Sequence, residues 1–204
     1  MAGGRWYPTN VTLADGRVLV FSGFDERTGE INSDVEVYEP GSGTGWQIVS
    51  QVDLPLYPRM HMLSSGDVFY SGPSQVTGTF KIATWSWSGI VWSNYGGRHG
   101  CMSVLLPSDR DKVMIIGGQS GGVVTEMAER IDLADPLPAW RVTQPMSVPR
   151  MNANAVMDEK KVPGVYSVNW NGIDNKGRAV SSGIYYYTIA TGGYKQTKKM
   201  LLLR

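Results

Sequence analysis

The stretch WYPTNVTLADGRVLVFSG (residues 6–23) decides the fold, because the chain repeats it. A second copy, LYPRMHMLSSGDVFYSGP (residues 56–73), matches it at an offset of 50. A third, RHGCMSVLLPSDRDKVMIIGG (residues 98–118), matches at an offset of 93 when two residues are inserted before Lys112, and a fourth starts as RMNANAVM (residues 150–157). Periods of 43 to 52 residues are typical of propeller blades, which are four-stranded sheets that bury their faces by stacking on one another.

Each copy has the same internal order: an alternating strand, a polar turn such as ADGR or SSGD, an apolar strand and a pair of small residues. We expect the turn to need a positive φ and the apolar strand to be buried on both faces. Small residues are needed where the backbone adopts unusual angles or approaches its neighbour closely. The pairs are Ser22 with Gly23, Gly72 with Pro73, and Gly117 with Gly118.

A second element closes each repeat. Residues 34–46, 80–92 and 128–140 each contain an alternating strand, a turn and a final tryptophan. We expect Trp46, Trp92 and Trp140 to pack between adjacent blades, because large aromatic rings dominate such interfaces. The sequence therefore predicts an all-β fold, an incomplete propeller of three blades and the start of a fourth within residues 1–157. The repeats start near residues 5, 55, 98 and 150.

Bulk composition excludes several classes of function. The 19 basic and 18 acidic residues leave a formal charge of +1, so a nucleic-acid partner is not expected. The longest apolar runs are far shorter than the roughly 20 residues of a membrane span. Cys101, the single cysteine, cannot form an internal disulfide and is predicted to be a small buried apolar residue. The opening MAGGRWYP lacks an apolar signal segment, so the chain is either cytoplasmic or starts elsewhere in nature, and the repeats favour the second.

Paired small residues after an apolar strand, followed by an aromatic residue and a tryptophan, are similar to kelch repeats. More narrowly, RWYPT, LADGRVLV, LYPRMH and ERIDLADPLPAW resemble the galactose oxidase and glyoxal oxidase group of kelch propellers, over about residues 4–157. This resemblance implies a copper ion held by two tyrosines and two histidines, with one tyrosine cross-linked to a cysteine. Tyr7 matches that tyrosine. The adjacent Tyr-His pair of the family does not occur, and Cys101 does not match its cross-linking cysteine.

The two histidines do not favour a metal site. His61 aligns with Val11 and His99 with Trp6, which are different positions of the blade, and a copper centre would need both together with two phenolates. We expect His61 to be a hydrogen-bonded polar residue near the propeller axis and His99 to lie in a loop. No cofactor is therefore predicted, and a copper ion is expected only if the chain belongs to an oxidase.

Four aromatic residues are candidates for binding a ligand. Tyr7 and Tyr57 precede prolines at the start of repeat copies, where they are predicted to form an aromatic lip on the innermost strands, with the hydroxyl reaching water. Trp85 and Trp87 alternate with serines and so point to one face, which hints at a platform for stacking a carbohydrate.

The composition changes after Lys161. The pattern GxYxVxWxGxDxxG, then SGxYxY and KMxLxR, within residues 164–204, resembles the immunoglobulin-like C-terminal module of the flagellar hook-cap (FlgD) type. In some exported bacterial proteins such a module resembles the sorting tail of type IX secretion. The expected strands include Tyr166 to Trp170, Ile184 to Ala190 and Thr197 to Leu203. The module is therefore shorter than a full immunoglobulin-like sandwich, which has roughly 100 residues. Residues 158–163 form the predicted junction.

Three functional hypotheses follow. The first is a non-enzymatic binding or scaffold fragment of a secreted or surface bacterial protein, with a protein or carbohydrate ligand and with self-association through its open blade faces, because three blades do not close a propeller. The second is a fragment of a copper radical oxidase that oxidises alcohols or aldehydes and releases hydrogen peroxide, with Tyr7 as its contribution. The third is a protein-interaction hub, a role that many kelch propellers have.

Overall fold

The computed structural model describes residues 1–106, 111–152, 170, 172–174, 178–191 and 194–202. Eighteen strands and no helix occur in these ranges, so the predicted all-β class is confirmed. None of the residues described forms a helix that could cross a membrane. The chain divides into two compact units, one up to residue 160 and one from residue 161. The predicted junction at residues 158–163 lies outside the described residues.

Three four-stranded antiparallel sheets follow one another in the first unit, and in each sheet the strands hydrogen-bond in chain order. These sheets are the three predicted blades. Blade 1 contains β1 (Thr9–Thr12), β2 (Val18–Phe21), β5 (Asp34–Tyr38) and β6 (Trp46–Gln51), and β3 (Phe24–Asp25) and β4 (Glu30–Ile31) form a side hairpin. Blade 2 contains β7 (Met60–Met62), β8 (Val68–Tyr70), β9 (Val76–Lys81) and β10 (Ser86–Trp92). Blade 3 contains β11 (Met102–Leu105), β12 (Lys112–Ile116), β15 (Ala128–Asp132) and β16 (Arg141–Val142), with a side hairpin of β13 (Gln119–Ser120) and β14 (Val123–Val124).

Two apolar clusters pack the blades face to face. Between blades 1 and 2, the ring of Phe21 meets that of Phe80 edge to face, with ring centroids 5.4 Å apart. Between blades 2 and 3, Phe69 packs with Val113 and Trp140. Edge-to-face aromatic pairs add about 0.5–1.5 kcal/mol beyond their buried area. The sequence repeats are therefore neighbouring blades of one propeller segment, as predicted.

The turns and small pairs have the backbone that the repeats predict. Gly16 and Gly66, in the two polar turns, have φ of 89° and 86°. Positive φ also occurs at five of the six residues of the small pairs, the exception being Pro73: they are Ser22, Gly23, Gly72, Gly117 and Gly118. Close approach adds a second requirement at two of them: a Cβ at Gly23 would lie 2.8 Å from Arg5 Cβ, and one at Gly118 would lie 2.9 Å from Cys101 Cβ. Both distances are shorter than real Cβ contacts, so a larger residue would displace the backbone.

The closing tryptophans follow the prediction in only one blade. Trp140 is 6% exposed, and its indole Nε1 donates to Thr77 Oγ1 of blade 2 at 3.0 Å. Trp92, by contrast, is 63% exposed, so its predicted position between blades is wrong. The strand register explains the error, because Trp87 pairs with Phe80 just as Trp46 pairs with Tyr38. Trp87 is therefore the closing tryptophan of blade 2.

Trp46 also departs from the prediction, for a different reason. It shares a face of blade 1 with Tyr38 and Val18, and that face is opposite to the one that Leu19 presents to blade 2. Its ring contacts Tyr38, at 5.4 Å between centroids, within its own sheet. Trp46 thus has the position of a closing tryptophan on a face that no described blade covers.

The second unit contains a long hairpin of β17 (Gly183–Thr191) and β18 (Tyr194–Leu202), paired from Gly183 with Leu202 to Thr191 with Tyr194. These strands match two that the tail sequence predicts. The Trp170 ring lies 4.8 Å from that of Tyr185. The strand predicted before Trp170 lies outside the described residues, and the immunoglobulin-like assignment stays a prediction.

Candidate functional site

One left-handed residue lies near the start of each repeat. Tyr7, Tyr57, Gly100 and Asn152 occupy equivalent positions, and their φ angles are 61°, 55°, 61° and 54°. Left-handed backbone is uncommon for residues other than glycine and is costly for a bulky side chain. Hydrogen bonds link some of these residues: Tyr57 N–H donates to the Tyr7 carbonyl at 3.4 Å, and Asn152 N–H donates to the Gly100 carbonyl at 2.7 Å. The repeat therefore imposes this conformation on whatever residue the position holds.

In the first two repeats this position carries a stack of rings, which we call the aromatic cluster: Trp6, Tyr7 and Tyr57. The ring centroids of Trp6 and Tyr7 are 3.6 Å apart, and those of Tyr7 and Tyr57 are 4.5 Å apart, with interplanar angles of 35° and 31°. All three rings stay partly exposed, at 52%, 39% and 43% respectively. The two predicted lip tyrosines thus lie together, one from each of two neighbouring blades, and the strained backbone brings them into contact.

The phenol groups of the aromatic cluster interact with each other. Burial, and then a hydrogen bond with the Tyr7 phenol, raise the pKa of Tyr57 to about 12, while the nearby Arg59 guanidinium opposes the shift. Arg59 also joins neighbouring repeats, because it donates to the carbonyls of Tyr57 and Cys101, both at 3.2 Å. Tyr57 is therefore a neutral phenol at physiological pH and can exchange a hydrogen bond with Tyr7.

His61 is satisfied within the protein, as predicted. Its Nε2 lies 2.7 Å from Ser103 Oγ and 3.1 Å from Ser71 Oγ, so the imidazole joins blade 2 to blade 3. Burial, and secondarily the charge of Arg59, lower its pKa to about 4. The imidazole is therefore neutral at physiological pH. The serine partners come from strands far apart in sequence and were not predicted.

The other two residues considered for a metal site lie elsewhere. His99 is exposed, and its backbone pairs with Gln119 in both directions, at 2.9 and 2.8 Å. Cys101 is buried, and burial raises the pKa of its thiol, so it is the unreactive apolar residue that the sequence predicts. Within the described ranges no group of three or more His, Cys, Asp or Glu residues converges on one point. These residues therefore do not fit a complete copper site.

A buried ion pair recurs in the propeller and was not predicted from the sequence. Arg5 bonds Glu36 at 2.8 Å in blade 1, and Arg98 bonds Glu129 at 2.5 Å in blade 3. All four side chains are buried, and both partners of the second pair follow those of the first at an offset of 93. Each arginine also donates to backbone carbonyls of its blade. The sequence does contain a signal for this repetition, because the arginine and the glutamate recur at the same offset.

Blade 2 has no carboxylate at the position of this ion pair. By strand register Gly78 takes the place of Glu36, and a Cβ added at Gly78 would be in ordinary van der Waals contact with the Trp87 ring, at 3.7 Å. Trp87 also contacts Phe80, at 5.1 Å between centroids. Its indole N–H is buried and finds no acceptor in the part of the chain that the structure describes.

The predicted tryptophan platform is therefore largely part of the packing between blades. Trp85 and Trp87 are both partly buried against the cluster between blades 1 and 2. The guanidinium of Arg17, from blade 1, lies 5.3 Å from the centroid of the Trp85 ring, within the range of a cation–π contact. Carbohydrate stacking on these two rings stays a prediction.

Comparison with known proteins supports a propeller of the galactose oxidase and glyoxal oxidase type. No protein-family model matches the chain. Over 72 residues it is 35% identical to the aldehyde oxidase GLOX of Vitis pseudoreticulata, a match that covers 32% of this chain and 13% of that protein. A copper-bound fungal alcohol oxidase of the AA5 family superposes with a TM-score of 0.61 and 18% identity, over 76% of this chain and 35% of its own. The structure of YjhT superposes with a TM-score of 0.59 and 16% identity, over 74% of this chain and 54% of its own.

At these identities the structural likeness shows the fold alone. The kelch-like all-β propeller predicted from the repeats is confirmed by these neighbours. The chain spans 13% of the plant oxidase and about a third of the fungal one, so an activity of those whole proteins is not thereby an activity of this chain.

Proposed function

We propose that this chain is part of a copper radical oxidase that oxidises alcohols or aldehydes and releases hydrogen peroxide. We further propose that the aromatic cluster is its contribution to the oxidising site. The observation that carries the proposal is Tyr7: it stands in the RWYPT motif, has left-handed backbone, and its ring contacts those of Trp6 and Tyr57. The propeller likeness to the fungal alcohol oxidase and the partial identity with the plant aldehyde oxidase support it.

The chain's own residues have definable tasks in such a site. The Tyr7 ring contacts the rings of Trp6 and Tyr57, at 3.6 and 4.5 Å between centroids, and these contacts restrain its orientation. The neutral Tyr57 phenol holds a hydrogen-bonding proton next to the Tyr7 oxygen. Copper in such oxidases supplies the one-electron and oxygen chemistry. The described residues bring no histidine pair to the cluster, so we assign no chemical step to the metal.

Binding of copper to the Tyr7 phenolate tests this proposal. Because the described residues do not form a complete copper site, the test asks for a copper–phenolate contact and does not require the chain by itself to turn over substrate. The chain is loaded with copper(II) and dialysed, and bound metal is measured by mass spectrometry and by the visible absorption of copper–phenolate charge transfer. Peroxide release is followed on simple alcohols and aldehydes. We expect Tyr7→Phe to abolish the absorption band and any turnover, and Tyr38→Phe, which changes a tyrosine outside the cluster, to leave both unchanged. Copper that does not bind, or a band that survives in Tyr7→Phe, would contradict the proposal.

A binding or scaffold role is the second candidate, and a cleft favours it. The cleft lies between the outer strands of blade 2 and connecting segments of blade 3, has a volume of about 430 Å³, and is lined by Leu63, Lys81, Ile90 and Leu137 among others. Ligand sites commonly have volumes of about 300–1,000 Å³ and apolar walls with a few polar groups. A glycan and peptide panel that binds the wild type and not Ile90→Asp would support this role, and a flat response would remove it.

We also infer that the chain comes from an exported bacterial protein, with residues 164–204 as a FlgD-type, immunoglobulin-like sorting tail. The tail sequence and the long hairpin of the second unit support this inference. A reporter fused to these residues should be released by a bacterium with type IX secretion. A reporter carrying the propeller segment alone should be retained, and equal release of both would contradict the inference.

A further inference from the structure

Two tyrosines that begin neighbouring repeats are in ring contact. Tyr7 opens the first repeat and Tyr57 the second, at the offset of 50 that relates the two copies. Their ring centroids are 4.5 Å apart and their planes are inclined by 31°. Among the ring contacts of the described residues, this is the one that joins two tyrosines. Two oxidisable groups of the same type are therefore held side by side between two repeats.

The backbone holds this pair in place. Tyr7 and Tyr57 have left-handed φ angles of 61° and 55°, and the Tyr57 N–H donates to the Tyr7 carbonyl at 3.4 Å. The Tyr57 carbonyl in turn accepts from the Arg59 guanidinium at 3.2 Å. Strained backbone of this kind persists only where the surrounding structure determines it. The contact is therefore part of the fold and not a chance meeting of two mobile surface side chains.

The two phenol groups also interact directly. Burial and a hydrogen bond with the Tyr7 phenol raise the pKa of Tyr57 to about 12, so Tyr57 is neutral at physiological pH. A neutral phenol that loses an electron also loses its proton and becomes a phenoxyl radical. Much of the unpaired electron of such a radical lies on the carbons next to the oxygen. Two phenoxyl radicals in contact couple through these carbons.

Coupling requires rotation of the rings and little movement of the blades. The centroids of two directly bonded phenol rings are separated by nearly the same distance as those of Tyr7 and Tyr57. The ring torsions of tyrosine are broad, so the facing edges can turn toward each other without a change of the backbone. The structure thus presents the pair at the separation of the coupled product.

A covalent link at this point would serve a purpose that a disulfide cannot serve here. Cys101 is the single cysteine, so no disulfide can form within the chain. A bond between residues 7 and 57 closes a loop that contains most of blade 1 and the entry to blade 2. Closing such a loop stabilises the folded state, because it restricts the unfolded chain.

We propose that Tyr7 and Tyr57 form a dityrosine cross-link when the chain meets a one-electron oxidant, such as a peroxidase supplied with hydrogen peroxide. Each phenol gives one electron to the oxidant and one proton to water. A carbon–carbon bond forms between the two rings, and the hydrogen atoms at the bonded carbons move to the oxygens, which restores both phenols. The pair loses two hydrogen atoms in total, and these reduce one peroxide molecule to two water molecules.

This cross-link does not depend on the proposed oxidase activity or on copper. It also does not require a free surface around the rings, because an oxidant can accept an electron through the aromatic cluster without binding to it. Further parts of a longer protein that cover Trp6, Tyr7 or Tyr57 would leave the contact between the two tyrosines unchanged.

Photochemical oxidation of the whole chain tests the proposal. A ruthenium tris(bipyridine) complex illuminated with persulfate supplies the one-electron oxidant, and EDTA removes copper. We expect the blue fluorescence of dityrosine. Tryptic digestion should give residues 6–17 joined to residues 28–59, with a mass two hydrogen atoms below the sum of the two peptides. The yield should not change with protein concentration, since the bond forms within one chain. The cross-linked chain should also unfold at a higher temperature.

Conservative variants identify the residues that react. Tyr7→Phe and Tyr57→Phe should each abolish the joined peptide, and far-UV circular dichroism confirms that each is folded. Tyr38→Phe is the matched control, because Tyr38 lies in the same tryptic peptide as Tyr57 but its ring contacts Trp46, so the joined peptide should persist. Fragmentation of the wild-type joined peptide assigns the bond to Tyr57 or Tyr38 without any variant. No joined peptide, a bond at Tyr38, survival in Tyr7→Phe, or a yield that rises with protein concentration would overturn the proposal.

Discussion

The partly buried imidazole of His61 makes the stability of the propeller segment depend on pH in a range where carboxylates contribute little. Its pKa is about 4 in the folded protein, against 6.5 for a histidine in water. The unfolded chain therefore binds a proton between these values that the folded chain does not, so stability falls as the pH falls from 6.5 to 4. That pKa difference corresponds to about 3 kcal/mol in full, of which about 2 kcal/mol is lost by pH 5.

Urea unfolding at pH 7 and pH 5, followed by circular dichroism, measures this loss. The wild type should lose about 2 kcal/mol between the two values, and His61→Gln, which is neutral at both, should lose far less. His99→Gln removes the other histidine, which is exposed, and should behave like the wild type. Asp25 has a pKa lowered to about 2, and those of Asp15 and Asp67 are also lowered, so their contributions are lost only below the chosen range. Equal pH dependence in the wild type and His61→Gln would refute the reasoning.

Three further predictions concern single side chains. Glu129→Gln should destabilise the protein by about 3–5 kcal/mol in urea unfolding, because it leaves a buried guanidinium without its counter-charge, whereas replacing both partners by apolar residues should cost much less. In an ultraviolet titration, Tyr57 should ionise near pH 12, and Tyr7→Phe should move that step toward 10, since it removes the hydrogen bond that favours the neutral phenol. Trp140→Phe should cost more stability than Trp87→Phe, because only the first loses an indole hydrogen bond, and the opposite order would contradict this.

Most of the fold could be predicted because it is determined by local sequence patterns. Turn glycines, alternating strands and small residues after an apolar strand each express a backbone constraint that acts within about 20 residues. Repetition at offsets of 50 and 93 then indicates that such units stack. Ser22 has a φ of 59°, and Gly118 lies against the backbone of Cys101, which are the two kinds of backbone constraint that call for small residues.

The errors and omissions concern contacts that depend on register or on distant residues. Strand β10 contains both Trp87 and Trp92. The position of Trp92 at the end of the repeat led to its prediction as the closing residue, but the structure pairs Trp87 with Phe80 and so gives Trp87 that role. The stacking of Tyr7 on Tyr57 requires knowing that both have left-handed backbone, which the sequence does not state for a tyrosine. Ion pairs between residues about 30 positions apart leave no local signature.

The left-handed position near the start of each repeat determines how such a site can be enlarged. Because the backbone orients whatever side chain occupies that position, duplication of a blade copies a ring together with its orientation, and no separate optimisation is needed. Gly100 already has the required φ of 61° and interrupts the row. In an engineered or duplicated propeller, the number of rings around the axis would thus follow the number of modules, so gene duplication would extend the cluster more readily than point substitution.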